Sequence, residues 1–526
     1  MAAATQPAAI LHDAHDLGAT KWIIAISVML GTILEVLDSS IVNVSLPHMQ
    51  GSFSASVDEI AWVVTSYLVA AGIMIPLTGW IAERFGRKHY FIFSIATFVG
   101  ASALCGVAQS LNQIVLFRLI QGAAGAAMMP LSQAILMETF PPREQAMAMA
   151  VWGLGMMVAP IMGPTVGGWI TDAWSWRWNF YINVPIGTLG MFMVWRFVED
   201  PEYMRQRRRG KIDFLGIACL FVTLGLGEIV LDRGERADWF QTPWVVYCTA
   251  AAIGALILLI FHESRTEDPV IDLSILKDSR FTLPVTLVIF LTFTLYGTGI
   301  LNPIFLQELM GYTASKAGLA MAPRGFGTMF SMLLLGSMAR RGIDYRPLIG
   351  IGFFLVAFAM WEMSGLNLQS DTYRVVWPMV VQGVGTGLVF PGLSAAALSS
   401  MEKFKMQRAA SLYSVTRNLG AAIGTSYLTT LLIHRQQVRQ SYLVEHVSVF
   451  TLPHLRMPGA RGADLAQQYV LGQHHGMAMI YGLVQRQAMM LSFNDIYRML
   501  AVLMLLMVPT FFFLQRDMRN VSSAAH

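Results

Sequence analysis

The run Trp22-Ile-Ile-Ala-Ile-Ser-Val-Met-Leu-Gly-Thr-Ile-Leu-Glu35-Val-Leu-Asp38-Ser-Ser-Ile-Val-Asn43-Val-Ser-Leu46 decides what kind of molecule this is. As a helix rising ~1.5 Å per residue it is long enough to cross ~30 Å of hydrocarbon. Yet Glu35 and Asp38 sit in its middle, three residues apart and so on one helix face. An ionised carboxylate at bilayer depth costs roughly 2.5–3.5 kcal/mol. A membrane helix keeps such groups where a water-filled pathway, an ionic partner or a proton-binding task offsets that cost.

The rest of the chain repeats the pattern. Of 526 residues, 55% are hydrophobic and only 13% charged, against about 25% charged in soluble proteins. Further apolar runs lie near 59–82, 89–109, 112–137, 146–170, 178–198, 212–231, 243–262, 281–305, 317–338, 346–365, 375–398, 409–433 and 493–515. The expected fold is an all-α polytopic membrane protein of fourteen transmembrane helices. The first run is too long for a signal peptide, contains acids and lacks a small-residue cleavage site, so it is expected to stay as an anchor. Cys105, Cys219 and Cys248 lie in apolar runs and suggest no disulfide framework. The His474–His475 pair reads as solvated, and no metal site or cofactor is expected.

Lysine and arginine orient the spans. With the N-terminus inside, the inner segments hold 21 of them and the short outer loops 5, as cytoplasmic loops should. Both termini are therefore expected in the cytoplasm. The expected order is a tail at 1–20, a six-helix bundle at 21–198, a basic linker at 199–211, two inserted helices at 212–262 and a linker at 263–280. A second six-helix bundle follows at 281–515, with a long outer loop at 434–492, and then a tail at 516–526. Within that loop, Gly476–Leu491 is unexpectedly apolar, suiting a bilayer surface or a partner.

An internal repeat explains the count. Gly79-Trp-Ile-Ala before a charged turn recurs as Gly336-Ser-Met-Ala, offset by 257. Gln121-Gly122 with Pro130 recurs as Gln382-Gly383 with Pro391, offset by 261. Ala55-Ser56 matches Ala314-Ser315, offset by 259. Parallel halves of this kind are typical of transporters that bind substrate near the midplane between them. An offset of 259 carries Glu35 and Asp38 to the neighbourhood of Thr294 and Gly297, where the second half has no acid.

These residues carry a family likeness. Leu37-Asp38-Ser-Ser-Ile-Val-Asn43-Val-Ser-Leu-Pro47, Gly79 to Lys88, Arg118-Leu-Ile-Gln121-Gly122-Ala-Ala-Gly125 and Ala159-Pro160-Ile-Met-Gly163-Pro164-Thr-Val-Gly167-Gly168 are the main motifs. Asn183-Val-Pro185-Ile-Gly187, Leu231-Asp232-Arg233-Gly234 and Asp238-Trp239-Phe240 add to them. With these, the chain resembles the major facilitator superfamily, in its fourteen-helix drug:proton antiporter branch, and within it the EmrB-type multidrug exporters. Glu83 stands where the loop motif usually has Asp. The likeness covers about 20–515.

The resemblance implies two six-helix halves plus two inserted helices. It implies proton-coupled export of small lipophilic compounds by alternating access, from a bacterial inner membrane. Asp38 and Arg118 would form a proton relay, with Glu35 as a tuner or second cation contact. A carboxyl shielded from water titrates closer to neutral pH than one in solution, and a guanidinium at that depth keeps its charge and needs a partner. Gly79, Glu83, Arg84, Gly86 and Arg87 would form an inter-half latch. Pro160, Gly163, Pro164, Gly167 and Gly168 would form a hinge and seal. Asn43, Gln121, Arg324 and Arg417 are candidates to line the substrate pathway. EmrB-type pumps further imply a periplasmic membrane-fusion adaptor and an outer-membrane channel as partners.

Other functions fit less well. The only Gly-Lys pair, Gly210-Lys211, is followed by Ile, so no phosphate loop supports an ATP-driven pump. No nucleophile–base pairing or H-E-x-x-H cluster supports an enzyme, and nothing points to nucleic acid. An importer on the same fold is disfavoured by the first-helix acid and the Pro/Gly-rich fifth helix. A narrow-specificity metabolite or siderophore exporter on the same fold is the alternative.

Overall fold

The computed structural model describes residues 20–200, 213–234, 237–266, 269–341, 343–402, 405–446, 456–457, 460–461 and 474–514. Among them sixteen α-helices carry the chain. The first eight are α1 Thr20–Phe53, α2 Val57–Phe85, α3 Arg87–Val107, α4 Leu111–Gly125, α5 Met128–Thr139, α6 Pro142–Ala173, α7 Trp178–Tyr181 and α8 Asn183–Phe197. The others are α9 Phe214–Arg233, α10 Pro243–Glu263, α11 Ser279–Ile304, α12 Ala314–Arg340, α13 Arg346–Met363, α14 Thr372–Ser399, α15 Met406–Glu445 and α16 His474–Met507. Since α4 runs on into α5, and α7 into α8, these make fourteen crossings, where the sequence predicted them. Ten are long and apolar enough to cross a membrane by length and composition.

Helices dominate because lipid cannot satisfy backbone N–H and C=O groups, so each span must satisfy its own. Polar caps mark where spans restart. Ser56 and Glu59 form a reciprocal capping box at the start of α2, and Thr313, Ser110 and Asp371 cap α12, α4 and α14. The caps refine the repeat. Thr313, not Ser315, is the structural counterpart of Ser56, which gives α2 and α12 the 257 offset already shared by Gly79 and Gly336.

Packing within each half rests on glycines that let backbones touch. A Cβ added at Gly122 would overlap the Tyr67 carbonyl oxygen, and one at Gly383 would overlap that of Arg324. The same α4-on-α2 contact thus recurs as α14 on α12. Gly163 brings α6 onto Ser40 of α1, where an added Cβ would lie 2.6 Å from the Ser40 Cβ. Gly420 and Gly424 bring α15 onto α11, the former at 2.7 Å from the Ile289 oxygen by the same measure.

The two halves meet at the end of the bundle that carries the α2–α3 turn. There α2 packs on α15 and α6 on α12. A Cβ on Gly79 would lie 2.8 Å from the Arg408 Cα, and one on Gly336 would lie 2.6 Å from the Met147 sulfur. Trp152 stacks on Phe390 across the seam, with ring centroids 6.4 Å apart. The inserted pair α9–α10 lies outside this seam, with α9 against α2 and α15. Its α10 face displays Tyr247, Ile253, Ile257 and Phe261, as a lipid-facing surface would.

The last two helices depart from expectation. The segment 434–492, read as loop, is helical at both ends. Helix α15 continues to Glu445 and α16 starts at His474. At 40 residues, α15 spans ~60 Å, about twice the hydrocarbon thickness. Arg439 holds the two extensions together through a forked pair with Asp495, Nη2 to Oδ1 at 2.8 Å and Nε to Oδ2 at 3.0 Å. The apolar stretch within 476–491 therefore continues the last crossing rather than forming a separate surface helix.

Candidate functional site

Helix α1 places Asp38 fully buried, with no exposed surface. Its carboxylate is held by three side chains from two other helices. Arg118 of α4 donates from Nη1 to Oδ2 at 2.6 Å, Gln121 donates from Nε2 to Oδ1 at 2.9 Å, and Asn183 of α8 donates from Nδ2 to Oδ1 at 2.6 Å. Arg118 is itself held on several sides. Its Nε donates to the Val63 carbonyl at 3.1 Å, Nη1 also reaches Gln121 Oε1 at 2.8 Å, and the guanidinium lies 4.1 Å from the Tyr67 ring centre. Asn183 is anchored in turn by Ser102, at 3.0 Å. Removing one member of such a buried pair costs about 3–5 kcal/mol, because the other is left charged and alone.

Glu35 stands one helical turn away in a different setting. Its Oε2 is buried and accepts no hydrogen bond. Asp38 and Arg417 both lie within electrostatic reach of it, as does the Tyr67 hydroxyl. Arg417 comes from α15, in the other half, and is 3% exposed. Its Nη2 touches the Met129 sulfur at 2.6 Å and Asn418 at 3.3 Å, while Nη1 is buried with no partner. The other pathway candidates scatter. Gln121 is a ligand of Asp38, Asn43 is exposed near the far end of α1, and Arg324 donates to the Leu295 carbonyl at 3.3 Å.

The second half repeats this centre without its charges. Gln382, fully buried like Gln121, donates to Thr298 at 2.9 Å. Thr298, one residue from the Gly297 expected, thus takes the place of Asp38.

At the α2–α3 turn, Gly86 has φ +89°, and a Cβ there would meet Asp200 at 2.7 Å. Only glycine takes that conformation without strain. Arg87 pairs with Glu138 of α5 and donates to the Glu199 carbonyl at 3.3 Å, so it ties parts of one half together. Glu83 instead reaches across the seam. Arg408 Nε donates to its Oε2 at 2.8 Å, both side chains being 8% exposed. Arg84 stacks over Trp80, 5.4 Å from its centre. Helix α6 is continuous past the proposed hinge. Gly167 contacts Ile41 and Gly168 is 3.8 Å from Val44 by the added-Cβ measure. The side chains of Pro160 and Pro164 lie outside the described residues.

Sequence reasoning passed over Asn183 and Arg408 as site residues. Asn183 had a signal, an amide inside an apolar run. Arg408 had none, because its partner is 325 positions away.

Comparison with known proteins gives a consistent likeness. The family model described as Major Facilitator Superfamily matches residues 28–425. Multidrug export protein EmrB of Escherichia coli K12 is 36% identical over 500 residues, covering 94% of this chain and 96% of the relative. Fatty acid resistance protein FarB of Neisseria gonorrhoeae is 33% identical over 492 residues, covering 93% and 95%. Among solved structures, the proton:xylose symporter XylE superposes with a TM-score of 0.61 at 15% identity, over 95% of this chain and 96% of that one. At that identity it speaks for the fold alone.

Proposed function

This chain belongs to the Major Facilitator Superfamily, and from that premise we propose that it is a proton-coupled exporter of lipophilic toxic compounds working by alternating access. The observation that carries the reading is the buried acid–guanidinium centre of Asp38 and Arg118, built into one half of a two-half carrier. Relatives whose names state multidrug export and fatty acid resistance support outward transport of apolar cargo.

In this reading the N-terminus is cytoplasmic, as the charge bias argues, and the membrane is a bacterial inner membrane. The closed end with the α2–α3 turn then faces the cytoplasm, so the conformation faces outward. Glu83 and Arg408 latch it shut, and Gly79 and Gly336 permit the close approach that the latch needs. Inward opening breaks the latch. Gly163 and Gly167 let α6 and α1 move as one packed pair. The membrane potential contributes about 2.3 kcal/mol per proton charge per 100 mV. The extended α15–α16 hairpin projects to the outer side, where an adaptor protein would dock.

The test is transport in inside-out vesicles. Wild-type vesicles loaded with acid should lose lumenal protons when a lipophilic substrate is added. A wild type that accumulates substrate with no proton movement, at any imposed gradient, refutes the coupling.

A further inference from the structure

Asp38 and Glu35 share a helix face but differ in what holds them. The two oxygens of Asp38 accept three N–H bonds, from Arg118, Gln121 and Asn183. Arg118 holds a fixed positive charge against Oδ2 at 2.6 Å, and every donor belongs to the same half. Glu35 has a buried oxygen with nothing bonded to it, and across the seam Arg417 has a buried N–H group with nothing bonded to it. Each is what the other lacks. They lie within electrostatic reach yet form no ion pair within 4.0 Å among the described residues. Whether Glu35 carries a proton therefore decides whether opposite charges face each other across the seam at this depth.

Resting on the proton-coupled reading above, we propose that Glu35 is the carboxyl that exchanges the proton, with Arg417 as its counter-charge across the seam, and that Asp38 is a positioning residue. The proton forms an O–H bond on Glu35 Oε2 and leaves to water in the cleft. Loss of the proton creates an attraction between α1 and α15, and its uptake removes that attraction. Chemical identity thereby becomes a force between the halves. Asp38, locked to Arg118, keeps α1, α4 and α8 in register and fixes the pose of Glu35.

The other charged or titratable groups facing Glu35 are few. Asp38 is on its own helix, Tyr67 faces it from α2, and Arg118 from α4 acts through both. Helix α6 carries its acids, Glu144 and Asp172, at its two ends, and α5 and α8 present no charge at this depth. A titration observed at this level is therefore assignable by substitution.

The experiment is pH-difference infrared spectroscopy on the full chain in lipid, following the C=O stretch of protonated carboxyl. This needs no substrate, so it is separate from the vesicle test. A wild type that exports without protons sinks the functional reading, whatever the spectrum shows. The expected result is a band that titrates with pH, is lost in Glu35→Gln and is retained in Asp38→Asn. Arg417→Gln should displace its midpoint by about one unit, the scale of losing one nearby counter-charge, and Arg417→Lys should keep it near the wild-type value. A band that survives Glu35→Gln and vanishes in Asp38→Asn overturns the assignment, as does a wild type with no such band. If Glu35→Gln cannot be purified folded, the Arg417 pair decides: equal midpoints for Arg417→Gln and wild type refute the counter-charge.

Discussion

Glu83→Gln should open the end of the bundle at the α2–α3 turn. Glu83 accepts from Arg408 at 2.8 Å with both side chains 8% exposed, so solvent screens the pair only partly. A hydrogen bond involving charge contributes about 1.5–3 kcal/mol, and a neutral one about 0.5–1.5. Glutamine keeps the shape and a carbonyl acceptor but loses the charge. The closed state should therefore lose about 1–1.5 kcal/mol relative to a state in which the contact is already broken. At 1.36 kcal/mol per factor of ten, that raises the open-to-closed ratio roughly 5–13-fold. Arg408→Ala should do more, because Arg408 also donates to the Pro269 carbonyl at 3.3 Å. The assay is electron–electron distance measurement between spin labels on cysteines replacing Phe85 and Glu402, with Cys105, Cys219 and Cys248 removed. The short-distance population should fall and a longer one rise. A distribution unchanged in both variants refutes the latch. Equal populations in wild type and in the exchanged pair Glu83→Arg with Arg408→Glu would separate charge pairing from mere bulk.

Two further outcomes follow from packing. Gly122→Ala and Gly383→Ala should each destabilise strongly and by similar amounts, since each new methyl would overlap a carbonyl oxygen at equivalent points of the two halves. Gly72→Ala and Gly254→Ala, with open space around them, should leave the detergent melting temperature within a degree or two, and a thermal melt of all four decides this. Arg439→Ala should free the α15 and α16 extensions from each other, because it removes the forked pair with Asp495. Limited proteolysis should then cut between residues 434 and 480 faster than in wild type, with the core bundle still intact.

Much of this architecture was legible in the sequence because hydrocarbon leaves the chain so few options. Runs of apolar residues had to be helices, and Gln-Gly at a constant offset had to mark equivalent positions. The Asp38–Arg118 pairing was legible through the family resemblance of the motifs that carry the two residues. Three things were not. The helical extension of α15 past residue 433 is polar, and polar sequence outside the bilayer looks the same as helix or loop. The Glu83–Arg408 contact joins residues far apart in sequence, and no local pattern encodes a contact between halves. The ranking of the two acids also escaped. Spacing put Glu35 and Asp38 on one face, but only the positions of Gln121 and Asn183 reveal that one carboxylate is held by three donors while the other has an oxygen with none.

That difference bears on how a carrier of this design can be driven by so small an event as one protonation. Rocking two rigid halves breaks only the interactions that cross the seam. In the first half Asp38–Arg118, Arg87–Glu138 and Lys21–Glu144 all close within that half, and in the second Arg439–Asp495 does the same. None of these ion pairs need be broken when the halves move. Among the described residues, ionic contacts that do distinguish one state from another are Glu83 with Arg408 at the closed end and Glu35 facing Arg417 midway along the seam. Two-state populations respond steeply when few terms differ. A shift from 1:99 to 99:1 needs about 5.5 kcal/mol of difference between the states. The latch contributes about 1.5–3 kcal/mol of that, and the seam charge that protonation switches adds to it. Had the charges been spread evenly across the seam, as a symmetric second half with its own acid would do, each state would hold many such pairs, and one proton would be a small fraction of the difference. The absence of an acid near Thr294, where Glu35 would recur in the second half, thus keeps the seam sparse in charge, and leaves the balance between states within reach of a single carboxyl.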